Sequence, residues 1–112
     1  MDGTEGLEID VAESGSVRLF RLAGEFDLAG VGRFERSLSV NQTSQAPTFV
    51  LDMRDLTFID SSGLRAVVMA DQRVRAAGGR FIVVRGPARV NEVLEVTGVA
   101  RRIELVDEPP AG

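Results

Sequence analysis

The stretch Phe58-Ile59-Asp60-Ser61-Ser62-Gly63-Leu64-Arg65 joins two kinds of hydrophobic pattern. Upstream, Thr48-Phe49-Val50-Leu51-Asp52-Met53 is an almost unbroken apolar run, the signature of a strand buried on both faces. Downstream, Leu64, Val67, Val68 and Val74 share one helical face, and Arg65, Asp71, Gln72 and Arg75 the other. Gly78-Gly79 supplies the stop of a helix over 62–77. Two hydroxyls and a carboxylate therefore converge where a helix begins. Such an end carries orphan N–H groups and about half a positive charge, so it tolerates an anion. A phosphate added to a serine there brings about −1.5 to −2 charges at neutral pH, next to an aspartate. That is the chemistry of a surface switch.

Working outward, strands alternate with helices. Leu7, Ile9 and Val11 alternate with polar neighbours, Ser14-Gly15 turns the chain, and Val17, Leu19, Phe20 and Leu22 continue as the second strand of a hairpin. Gly24-Glu25-Phe26-Asp27 closes that strand, with Asp27 placed to cap a helix over 28–40. In that helix Leu28, Val31, Phe34 and Leu38 recur at helical spacing, while Gly30 and Gly32 weaken it by about 1 kcal/mol each. Asn41 to Pro47 reads as a polar loop. Phe81-Ile82-Val83-Val84 is a further buried strand, and Pro87 opens the first turn of a helix that Gly98 ends. Ile103, Leu105 and Val106 close the order ββαβαβαβ. The expected fold is α/β: a mixed, mainly parallel sheet of about five strands, packed with three to four helices. One domain is expected over 1–112, its core about 7–106 and both ends frayed.

Composition excludes much chemistry. The chain has no cysteine and no histidine, which removes thiol nucleophiles, disulfides, zinc sites on nitrogen and sulfur, and a Ser-His-Asp triad. All thirteen basic residues are arginine, so P-loop and Schiff-base lysines are absent too. A receiver domain modified on aspartate needs such a lysine, and no G-x-S-x-G elbow surrounds Ser61. A net charge of −4 argues against nucleic acid as a partner. No apolar run is long enough for a membrane span, and the acidic N-terminus lacks a signal-peptide pattern. The expectation is a cytoplasmic non-enzyme without cofactor or metal.

With those residues laid out, the chain resembles the STAS domain family, and within it the free-standing anti-sigma factor antagonists. Leu22-Ala23-Gly24-Glu25-Phe26-Asp27 is similar to the family's L-x-G-E-[LF]-D. Asp52-x-x-x-Leu56-x-Phe58-Ile59-Asp60-Ser61-Ser62-Gly63-Leu64 is similar to its phosphoacceptor segment. The resemblance implies binding to an anti-sigma factor that is also a serine kinase, which releases a sigma factor. Phosphorylation of Ser61 ends that binding, and a PP2C-type phosphatase restores it. Carried over, the contact surface comprises Asp27, Asp60, Ser61, Ser62, Gly63 and Leu64. Arg65 stands where many members have a small residue.

Each signal also has a plainer reading. Ser61 and Ser62 are good helix caps, and the resemblance leaves Ser62 as the cap and Ser61 as the acceptor. Asp60 is either another cap or a carboxylate that orients the hydroxyl, and capping alone accounts for Asp27. The alternative function within the fold is an unphosphorylated scaffold, in a stress-signalling assembly or as an accessory subunit of a lipid ABC transporter.

Overall fold

Inward-facing residues on β2 (Val17–Phe26) and β3 (Thr48–Ile59) set the plan of the molecule. The computed structural model describes residues 6–41 and 47–110. β1 (Leu7–Ser14) pairs antiparallel with β2, while β3, β4 (Arg80–Val84) and β5 (Glu104–Val106) extend the sheet in parallel, in spatial order β1-β2-β3-β4-β5. The crossovers are α1 (Leu28–Asn41), α2 (Ser61–Ala76) and α3 (Ala88–Val96), the last followed by a 3-10 turn at Val99–Arg101. The α/β fold, the mixed sheet and the element order agree with expectation. Most of the loop predicted over 41–47 lies outside the described residues, and Asn41 belongs to α1.

One large apolar cluster joins Phe20, Leu51, Met53 and Val83 of the sheet to residues from all three helices, among them Phe34, Val67 and Leu94. Each such side chain, fully buried, stabilises the fold by about 1.5–3 kcal/mol. Phe26 and Phe34 lock β2 to α1 with ring centroids 4.9 Å apart, a tilted geometry that aromatic quadrupoles favour. Val50, Ile82 and Val84 form a smaller cluster separate from the first. Burial of successive residues Phe49 through Met53 confirms the expectation for that strand.

Four details depart from the sequence reading. β3 continues six residues beyond Met53, to Ile59. It bulges twice against β2: Arg21 faces Asp52 while Ala23 faces Asp55, and Gly24 faces Leu56 while Glu25 faces Phe58. Each bulge adds one residue, so the inward positions run Met53, Leu56, Ile59 at steps of three, and simple alternation is lost. Second, α2 spans 61–76 rather than 62–77. Third, Asp71 is buried, although its polarity suggested the exposed face. It lies on the Leu64–Val67–Val74 stripe by spacing, and Arg75 pairs with it at 3.4 Å. Fourth, Pro87 sits just outside α3, in extended conformation, with its carbonyl accepting from Val90 N and Asn91 N.

Candidate functional site

The two motif segments, far apart in sequence, meet at the carboxyl ends of neighbouring parallel strands. Phe26 and Ile59 are in register, so the next residues, Asp27 and Asp60, begin adjacent crossovers. Asp60 N donates to Phe26 O at 3.2 Å, and Thr57 Oγ1 donates to Gly24 O at 3.1 Å. These bonds tie the bulged end of β3 to the end of β2.

Each aspartate caps the helix that follows it. Asp60 is extended (φ −110°, ψ −173°), and its Oδ1 accepts from Ser62 N at 2.9 Å and Gly63 N at 3.0 Å. Its carbonyl accepts from Leu64 N at 2.9 Å. Asp27 Oδ1 accepts from Ala29 N at 3.1 Å, and its carbonyl accepts from Gly30 N at 2.9 Å. The expectation that Ser62 caps α2 is therefore corrected: Asp60 is the cap, and Ser62 lies half-buried inside the first turn. The reason is tertiary. Phe26 O fixes Asp60 in the extended conformation a cap requires, and the helix starts one residue earlier.

Ser61 occupies the first helical position, exposed, with no hydrogen bond to another described residue from its side chain. Gly63 is buried against β2, where a Cβ would lie 2.3 Å from Phe26 O. Only glycine permits that approach. Leu64, 8% exposed, faces the core. Of the six residues expected at the contact surface, Ser61 is exposed, Asp27, Asp60 and Ser62 are half-buried, and Gly63 and Leu64 are buried.

Beside Ser61 a groove of about 240 Å³ runs between α1 and α2, its walls including Leu28, Val31, Glu35, Arg65 and Met69. Leu28 is 73% exposed and Met69 40% exposed. Leu28 was expected in the apolar stripe of α1, but as the first residue of that helix it projects past the core. Phe58, at the second bulge of β3, is also partly exposed, at 44%. Sequence reasoning missed this apolar rim, because an apolar residue at helical spacing looks the same whether it faces core or solvent. Arg65 is exposed and forms no ion pair with another described residue. Among the described residues, no group of three or more acidic side chains is placed to hold a metal ion.

Several known proteins are similar to this chain in sequence or in fold. An anti-sigma F factor antagonist of Paenibacillus polymyxa is 26% identical over 103 residues, covering 90% of this chain and 87% of its own. The crystal structure of an anti-sigma factor antagonist from Mycobacterium paratuberculosis superposes with a TM-score of 0.80 at 21% identity, covering 96% of this chain and 92% of its own. The phosphorylated form of the Bacillus cell fate determinant SpoIIAA gives a TM-score of 0.67 at 22% identity, with 92% and 93% covered. The description of the STAS domain family matches residues 8–109, nearly the whole of the described fold, and this chain belongs to that family.

Proposed function

We propose that this chain is an anti-sigma factor antagonist switched by phosphorylation of Ser61. Unphosphorylated, it binds an anti-sigma factor that is also a serine kinase, and so frees a sigma factor in the cytoplasm. Phosphate on Ser61 ends the association, and a PP2C-type phosphatase resets it. The observation that carries this reading is an exposed Ser61 hydroxyl, without a hydrogen-bond partner among the described residues, beside a groove rimmed by Leu28 and Met69. Apolar side chains next to a modifiable hydroxyl suit a protein interface that a dianion can spoil. With no histidine or lysine in the chain, the proton transfer and phosphate handling belong to the kinase. Two of the relatives named above are anti-sigma factor antagonists by name, which supports the assignment of partner class.

The exposed contact residues on this reading are Ser61, Leu28, Arg65 and Met69, with Asp27, Asp60 and Ser62 at the edge. Gly63 and Leu64 contribute by fixing α2. The test is incubation with candidate anti-sigma kinases and ATP, mass spectrometry of the peptide over 55–65, and calorimetric titration before and after. Label on Ser61 with weakened binding supports the proposal. Absence of label at Ser61, or a complex indifferent to ATP, refutes the switch and favours the scaffold alternative.

A further inference from the structure

We propose that Arg65 receives the phosphate added to Ser61, closing an ion pair along the exposed face of α2. This rests on the reading of Ser61 as the acceptor. A phosphate at a helix N-terminus ordinarily binds the orphan N–H groups. In this protein those groups are already engaged: Ser62 N and Gly63 N donate to Asp60 Oδ1, and Asp60 N to Phe26 O. Of the first four, only the N–H of Ser61 itself is left without a partner among the described residues. The aspartate that holds them also places a negative charge where the dianion must sit. Asp27, at the end of the neighbouring strand, adds a second carboxylate, and Glu35 lines the same groove as Arg65. A compensating cation is needed.

Arg65 meets the requirement. It lies four residues beyond Ser61, a spacing that stacks two side chains on one helix face with Cβ atoms roughly 5–6 Å apart. The order, anion first and cation second, is the favoured one. Its guanidinium offers a planar fork matched to phosphate oxygens. Three other arginines are engaged elsewhere: Arg33 donates to Leu7 O at 2.7 Å, and Arg54 and Arg21 pair with Asp52. Before modification, Arg65 lines the groove beside Ser62 and Met69. After it, the side chain turns toward the N-terminus of α2. Phosphorylation thus adds a dianion and withdraws a cation from the same docking surface.

The test uses phosphoserine installed at position 61 by genetic-code expansion, in the otherwise unchanged protein and with Arg65→Gln or Arg65→Lys. Phosphorus NMR follows the second ionisation of the phosphate. An exposed i to i+4 pair should hold that ionisation roughly 0.15–0.4 pH unit lower than in Arg65→Gln. Arg65→Lys should retain most of the displacement, since the charge is kept. Identical titrations in the unchanged protein and in Arg65→Gln would overturn the proposal. Because the phosphoserine is supplied during synthesis, that outcome does not depend on any kinase. Failure of a kinase to label Ser61 would refute the acceptor reading alone.

Discussion

At Asp60, one carboxylate oxygen organises the first turn of α2, accepting from two amides that otherwise lack partners. Removing it by Asp60→Ala should cost about 0.5–2 kcal/mol, the usual range for a lost N-cap. Ser62→Ala should cost less, because Ser62 is not the cap. Urea midpoints of the two variants check the assignment, and a larger loss for Ser62→Ala would reverse it. Gly63→Ala drives a methyl group against Phe26 O and the Phe26 ring, and should cost about 1–3 kcal/mol. The sequence made the strand-to-helix junction legible, since the buried run before it and the stripe after it have different periods. It did not reveal which residue caps. Asp60, Ser61 and Ser62 all have good capping side chains, and the choice is made by Phe26, on another strand. The exposed rim formed by Leu28 and Met69 was illegible for a related reason: burial depends on what lies opposite.

Elements read from periodicity succeed where the period is undisturbed, as in β2, β4 and α2, and fail where it is broken. The second half of β3 was missed because two bulges turn a two-residue repeat into a three-residue one. The first bulge is held by Asp52, only 1% exposed. Its Oδ1 accepts from Arg54 N at 3.0 Å, its carboxylate pairs with the Arg54 guanidinium at 2.9 Å, and Arg21 lies 3.7 Å away. Burial pushes the Asp52 carboxyl up, but the hydrogen bonds and charge of Arg54, with Arg21, hold it below its ordinary 3.8. A carboxyl lowered in the folded state stabilises the fold above its unfolded value. That contribution fades as pH falls through 3.8 and on through the lower folded value. Asp52→Asn should therefore cost about 1–3 kcal/mol at neutral pH. The gap from the unchanged protein should narrow on acidification, and urea denaturation at several pH values measures it. An undiminished gap below the folded titration would show that the ion pairs contribute little beyond the hydrogen bonds.

Across the whole molecule, the candidate site and the core are separable. Ser61 projects to solvent, whereas the main cluster is built from strands and the inner faces of three helices. A negative group at position 61 therefore displaces nothing that holds the fold. The favourable dipole at the start of α2 is already used by Asp60, so a further anion there gains little of the usual 0.3–1 kcal/mol. For a domain of this size, about 1 kcal/mol corresponds to roughly 4–8 °C in melting temperature. Ser61→Glu should accordingly melt within about 4 °C of the unchanged protein, with the same circular dichroism spectrum. Docking responds differently. A partner surface that seats Leu28 and Met69 must bring its own groups close to Asp27, Asp60 and the new carboxylate, and strip water from them. Like charges placed together at an interface cost several kcal/mol, and each ~1.4 kcal/mol is tenfold in affinity. Ser61→Glu should weaken binding to the anti-sigma partner at least tenfold, while Ser61→Ala should bind nearly normally and resist labelling. Titration calorimetry of the three proteins distinguishes the cases. Equal affinities would remove local electrostatics as the basis of the switch, and a collapsed spectrum in Ser61→Glu would make the role of Ser61 structural.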